Sequence, residues 1–269
     1  MIRAAFFDVD GTLVSFKTHA MPESARAALL NLRAAGVKIL LSTGRNGDST
    51  RFLMDTGLFD GEILLSGQLC RLNGESVFEN PVGAADLDAA IAGAEAGELT
   101  LGFLSGDDSF VSGVNEFVDA ACAYAGMPRP RVAPAGLARS KPVYQIHCYG
   151  APGCEDALLR RARRLTAVRW SPNFADVFPA GGGKERGMEA VCRALGVGRE
   201  ETIAFGDGEN DAGMLEYAGV GVAMGGASDA VKARSDYVTA DVDADGIARA
   251  LEHFSDRFVQ IKAQGGRCK

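Results

Sequence analysis

The chain has 269 residues, 47% of them apolar and 23% charged, with 28 Lys and Arg against 35 Asp and Glu. That composition is ordinary for a soluble globular protein and argues against disordered, fibrous and membrane-embedded classes, while the length suits two compact units or one unit with a large insertion. A formal charge of -7 gives no electrostatic reason to expect nucleic acid or an anionic membrane as partner, which leaves a small soluble ligand.

Ile2 to Val9 is a short β-rich run containing Ala-Ala-Phe-Phe, the pattern of a strand buried on both faces of a parallel sheet, and it ends in Asp8-Val9-Asp10-Gly11-Thr12. Pro22 at the first helical position predicts a helix with Ala25, Ala28, Leu29 and Leu32 on one face and Gly36 as its stop. Val37 to Leu41 is a second strand, followed by Ser42-Thr43-Gly44-Arg45 and a helix over Asn46 to Thr56. This β-α-β order implies a parallel, right-handed unit. Glu62 to Ser66 reads as a third strand, and Asn73-Gly74 between apolar runs as a hairpin.

The rhythm then changes. A helix over Ala84 to Gly97, strands over Thr100 to Leu104 and Ser109 to Ser112, a helix over Val114 to Gly126 and a Pro/Arg-rich loop lead to a strand over Val143 to Tyr149. A basic helix over Gly153 to Leu165 and strands over Val168 to Trp170 and Phe174 to Phe178 follow. After Gly181-Gly182-Gly183 the alternation returns: helix Lys184 to Leu195, strand Thr202 to Phe205, helix Asn210 to Tyr217, strand Val220 to Met224, helix Ala227 to Arg234, strand Asp236 to Thr239 and helix Asp245 to Phe254. The expected fold is α/β, a Rossmann-like core of residues 1–81 and 180–269 with an inserted α+β cap of residues 82–179 hinged near Pro81 and Pro179.

Six cysteines, at positions 70, 122, 148, 154, 192 and 268, show no C-x-x-C pair or zinc-ligand spacing and read as buried thiols. MIRAAFFDVDGTL reaches aspartates without an apolar signal-peptide core, and no apolar run approaches the roughly eighteen residues a bilayer needs, so the expectation is a cytoplasmic protein with reduced thiols and a mobile tail from Gly265.

Four motifs each follow an apolar β-like run and are expected to project from the carboxyl edge of one parallel sheet, where open α/β sheets bind ligands. Asp8-x-Asp10-Gly11-Thr12 puts two carboxylates on a tight turn, one able to attack and the other to handle protons. Thr43 offers a hydroxyl and a backbone N–H to a phosphoryl oxygen, and Lys184 a positive charge at a helix N-terminus. Gly206-Asp207-Gly208-Glu209-Asn210-Asp211 places further carboxylates on a Gly-rich turn, suited to a hard cation.

In these residues the chain resembles the haloacid dehalogenase superfamily: DVDGTL its first motif, STGR its second, Lys184 its third and GDGENDAGML its fourth, in order along the chain. With the insertion between Arg45 and Lys184 it looks like the Cof-type branch, subfamily IIB, with a C2 cap. Lys184 is followed by Glu185-Arg186, where that family usually has Gly. The resemblance implies a phosphatase acting on sugar phosphates or related small phosphorylated metabolites. Asp8 would be the nucleophile and Asp10 the acid and base. Thr43, Gly44 and Lys184 would hold the phosphate. Mg²⁺ would be held by Asp8, Asp10 and Asp207, with Asn210 and Asp211 in support.

Substrate contacts are expected from Arg45, from Ser66-Gly67-Gln68 near the pocket mouth, and from His147, which shares a strand face with Gln145. A lone strand histidine is by default structural, as Trp170 is by default core, and Arg160 to Arg164 reads as a solvated helix face. The glycines 181 to 183 do not form a dinucleotide fingerprint. The rival readings are a sugar phosphomutase, which would reuse the aspartyl-phosphate, and a non-catalytic phospholigand-binding protein. The assembly is expected to be a monomer or homodimer.

Overall fold

The computed structural model describes residues 1–125, 128–169 and 171–258. The chain opens with β1 (Ala4–Phe7), α1 (Glu23–Ala34), β2 (Lys38–Ser42), α2 (Gly47–Met54), β3 (Gly61–Leu64), β4 (Leu69–Leu72) and β5 (Glu75–Glu79). It continues through α3 (Ala84–Glu95), β6 (Thr100–Leu104), β7 (Ser109–Val111), α4 (Glu116–Ala125), β8 (Gln145–Tyr149), α5 (Glu155–Leu159), β9 (Leu165–Val168) and β10 (Phe174–Pro179). The last elements are α6 (Lys184–Leu195), β11 (Thr202–Gly206), α7 (Ala212–Tyr217), β12 (Val220–Ala223), α8 (Asp229–Lys232), β13 (Tyr237–Val238) and α9 (Gly246–His253). Trp170, Gly126, Cys268 and the tail from Gly265 lie outside the described residues.

Among the described residues the strands form two sheets. The first has the order β13-β12-β11-β1-β2-β3-β4-β5, parallel from β13 through β3 and antiparallel at the β3-β4-β5 meander. The second, β7-β6-β8-β10-β9, is antiparallel throughout. Both ends of the chain build the first sheet, and the stretch between β5 and α6 builds the second.

Local chemistry accounts for the elements that carry the site. β1 is buried at all four positions because α1 and α9 cover one face of the sheet and α6 and α7 the other. Pro22 caps α1 one position earlier than expected; its missing N–H costs nothing there, and Ala25, Leu29 and Leu32 turn inward. Asn46 caps α2 by accepting from the Ser49 N–H at 3.1 Å. Asn73 and Gly74, at φ 51° and 84°, form the two-residue turn that joins β4 to β5. No helix among the described residues is long and apolar enough to cross a membrane.

Two expectations are corrected. The basic helix is only α5; Leu165 already belongs to β9, paired with Pro179, and Arg160 to Arg164 form the turn between them. Ala162 is fully buried there while the four arginines stay exposed, so the solvated surface is a turn and not a helix face. The cysteines divide: Cys70, Cys148 and Cys192 are buried, whereas Cys122 and Cys154 are partly exposed.

Candidate active site

β1, β2 and β11 lie side by side and parallel, so their carboxyl ends share one edge: Asp8 follows β1, Thr43 follows β2 and Asp207 follows β11. Gly11, at φ +82°, carries the turn after Asp8, and a Cβ there would stand 2.3 Å from Asp207 Oδ2. Only a glycine lets the two acidic turns approach this closely. Thr12 then donates its hydroxyl to Asp207 Oδ1 at 2.8 Å.

Lys184 reaches this edge by a different route from the expected one. The apolar run before it, β10, belongs to the second sheet; the chain crosses back through Ala180 to Gly183, and Lys184 begins α6, which packs beneath the first sheet. Its Nζ donates to Asp8 Oδ1 and to Asp211 Oδ1, both at 2.5 Å, with the side chain wholly buried. The second Asp211 oxygen accepts from the Asp207 and Gly208 N–H groups at 3.0 and 2.9 Å, which fixes the Gly-rich turn.

Burial, and then the charge of Asp211, push the Asp8 carboxyl well above the ordinary carboxylate range against the pull of Lys184. The same two causes raise Asp207 to about 7, opposed by the Thr12 hydroxyl and Lys184. Burial works against the Lys184 charge, yet Asp211 and Asp8 more than offset it and hold the ammonium form. The site therefore stores more negative charge than one lysine balances. Asp8, Asp207 and Asp211 each place a carboxylate oxygen within 4.8 Å of the others. With Asp211 committed on both oxygens, Asp8 and Asp207 each keep one oxygen outside the bonds described, an all-oxygen donor set that fits a hard divalent cation.

Asp10 is gripped by Arg45, whose Nε and Nη2 donate to its two carboxylate oxygens at 2.8 and 2.6 Å. The backbone N–H of Thr43, expected to face a phosphoryl group, instead donates to the Ile63 carbonyl at 2.8 Å as part of the sheet ladder. Its hydroxyl accepts from the Arg45 N–H at 3.1 Å. Asp8, Asp10, Thr43, Gly44, Arg45, Asp207, Asn210 and Asp211 all line one cavity.

The opposite wall of that cavity is the second sheet. Along β6, β8 and β10 alternate residues face it: Gly102 and Leu104, His147 and Tyr149, Phe174 and Asp176. Their neighbours Leu101, Phe103, Ile146, Cys148 and Val177 turn into the core against α3 and α5. His147 thus reaches the cavity. Ser66, Gly67 and Gln68 do not: they are buried where the chain passes between the sheets, and Gln68 is bonded to the Ser66 carbonyl at 2.9 Å and to Asn80 at 2.8 Å. A left-handed Ser66 at φ 54° and a Gly67 Cα pressed on the Gly183 carbonyl turn this segment away from the mouth. Tyr149, Phe174, Asp176 and Tyr124 of the wall were missed from the sequence. Asp176 was legible as a lone carboxylate in the apolar run FADVFP; Tyr124 had no distinguishing signal.

Crowded carboxylates and one buried lysine, at the carboxyl edge of a parallel α/β sheet under a second sheet, define an enzyme centre built for an anionic substrate and a cation. The profile of the haloacid dehalogenase-like hydrolases matches residues 5–251, and the chain belongs to that family. It is 28% identical over 248 residues to the putative phosphatase YkrA of Bacillus subtilis, covering 92% of this chain and 95% of that protein. Among solved structures it resembles the subclass IIB sugar phosphatase BT4131, with 36% identity, a TM-score of 0.86 and 94% and 99% of the two chains covered. It also resembles the phosphatase BT1666 from Bacteroides thetaiotaomicron, with 33% identity, a TM-score of 0.87 and coverage of 95% and 96%. The family and fold that the four motifs implied are those found.

Proposed function

We propose that the protein is a Mg²⁺-dependent phosphatase that hydrolyses small phosphomonoesters through an aspartyl-phosphate on Asp8. The observation that carries this reading is the placement of Asp8: one oxygen is pinned by the buried Lys184, and the residue lines the cavity beside Asp10 and Arg45. A carboxylate fixed in this way has one oxygen oriented for in-line attack and a cation behind it to stabilise the charge that spreads in the transition state.

In the first half-reaction Asp8 bonds to phosphorus as the bond to the leaving oxygen breaks, and Asp10 gives that oxygen a proton. In the second, Asp10 takes a proton from water as the water oxygen attacks phosphorus and releases Asp8. Arg45 holds both Asp10 oxygens, and an arriving phosphate dianion competes for the same guanidinium and loosens that grip. Thr43, Gly44 and Lys184 receive the phosphoryl oxygens. Mg²⁺ would be held by the Asp8 and Asp207 carboxylates and the Asp10 carbonyl, supported by Asn210 and Asp211, and supplies the charge that lets a carboxylate approach a dianion.

Residues 82–179 serve in this reading as a cap that excludes water. The family likeness brings sugar phosphates, the substrates named for BT4131, into the candidate range together with other small phosphorylated metabolites. Phosphate release from a panel of esters with and without Mg²⁺, alongside Asp8→Asn, tests the proposal. Metal-dependent release that the substitution abolishes supports it. Interconversion of sugar phosphates without release would identify a mutase, and binding without turnover a phospholigand-binding protein.

A further inference from the structure

The wall opposite the phosphate end has an unusual division of labour. The His147, Tyr149 and Phe174 rings pack on one another, with centroids 4.8 Å apart for His147 and Phe174, 5.7 Å for His147 and Tyr149, and 5.6 Å for Tyr149 and Phe174. Strand register explains the cluster. Tyr149 stands opposite Phe174, and His147 opposite Asp176 on one side and Gly102 on the other. A Cβ on Gly102 would meet the Tyr149 ring at 3.2 Å, so glycine leaves the rings room on this face.

Most polar atoms of the wall find partners within it, although the buried Gln145 Oε1 has none among the described residues. His147 Nδ1 lies 3.1 Å from the Tyr149 hydroxyl, and Nε2 lies 3.1 Å from the Gln145 amide and 3.2 Å from Asp176 Oδ1. Asp176 Oδ2 accepts from the Ser66 hydroxyl at 3.4 Å, and Gln145 Nε2 donates to the Gly44 carbonyl at 3.3 Å. What faces the cavity is ring surface, with Leu104 and Val111 beside it. At the cavity's other margin Phe16, from the turn after β1, meets Tyr124 of α4 at 5.4 Å.

We propose that the leaving group is a flat ring, an aromatic or heteroaromatic alcohol, seated against His147, Tyr149 and Phe174, and not a polyhydroxylated sugar. A planar ring gains offset or edge-to-face contacts from such a wall. A sugar brought to the same place gives up water at several hydroxyls and meets ring faces there, with both His147 nitrogens already bonded to the wall's own side chains. The inference rests on the phosphatase reading for the phosphate end alone; the ring wall belongs to the second sheet.

The test separates the two by measuring binding where no turnover occurs. Titration calorimetry on Asp8→Asn with Mg²⁺ compares phenyl phosphate and pyridoxine 5′-phosphate with glucose 6-phosphate and inorganic phosphate. The ring esters are expected to bind at least about tenfold more tightly than the sugar ester. Phe174→Leu and, at the exposed margin, Tyr124→Ala should each cut that advantage several-fold and leave inorganic phosphate unchanged. Equal affinities, a preference for the sugar ester, no ester binding more tightly than inorganic phosphate, or an advantage untouched by both substitutions would overturn the inference. Wild-type protein that releases no phosphate from any ester, while the binding order holds, would instead remove the phosphatase reading.

Discussion

At the carboxyl edge of the first sheet each charged side chain has a polar partner: Lys184 has Asp8 and Asp211, Asp207 the Thr12 hydroxyl, and Asp10 has Arg45. Across the cavity the second sheet bonds both His147 nitrogens to neighbouring side chains and presents rings. The first surface is over-determined by short, directional contacts in a buried setting; the second is a generic apolar face whose selectivity lies in shape. Substitutions at the edge should therefore be large and nearly independent of substrate, and those at the wall small and substrate-dependent.

The largest expected effect is at the nucleophile. Asp8→Asn keeps the shape and removes the attacking oxygen, so phosphate release should fall by at least roughly 10³-fold while the circular dichroism spectrum is unchanged. Residual release within tenfold of wild type would sink the assignment. Lys184→Met should both inactivate and destabilise, because Asp8 and Asp211 are left buried without their counter-ion; a loss of about 3–5 kcal/mol is expected in urea unfolding. A loss under about 1 kcal/mol would mean that water reaches the pair.

Arg45→Ala should lower kcat/KM by roughly 10²-fold for every ester alike, since it acts through Asp10 and the phosphate. A drop confined to one leaving group would assign Arg45 to substrate selection instead. Tyr124→Ala sits at the far end of the scale: KM for a ring ester should rise by less than about tenfold, with kcat nearly unchanged.

The smallest effect concerns the second sheet's own stability. Glu155 accepts from Arg169 Nη2 at 2.6 Å, and that bond holds its carboxyl down at about 2 against an ordinary 4.5. A lowered carboxylate pKa stabilises the fold fully above the unfolded value, and the contribution disappears as pH falls from about 4.5 to about 2. The melting-temperature deficit of Glu155→Gln should be present at pH 7 and fade toward pH 2; a deficit that ignores pH would assign it to packing.

The two regions were also unequally legible in the sequence. DVDGTL, STGR and GDGEND could be read because each gathers reactive or polar residues beside a glycine at the end of an apolar run, and in the first the turn itself requires that glycine, as Gly11 against Asp207 shows. Strand types were legible where period and turn chemistry agreed, as at Asn73-Gly74. What escaped depends on long-range pairing. The ladder bond that occupies the Thr43 N–H exists only once β3 lies beside β2. Lys184 was expected at the edge of the sheet because an apolar run precedes it, and only the pairing of β10 with β8 and β9 shows that the lysine arrives from the second sheet. The ring wall needs three strands in register, and no local window contains them.

Gln68 has one further consequence. Its side chain bonds Asn80, where the chain leaves the first sheet, and lies where a Cβ on Gly182, where the chain returns, would come within 2.4 Å. The excursion of roughly a hundred residues thus starts and finishes at one spot, and loop-closure entropy grows only with the logarithm of length. For the host sheet, the segment's size is therefore nearly immaterial. A short turn spliced across the two crossings should leave the strand order of the first sheet intact, and an unrelated domain whose own termini lie close together could take the same berth.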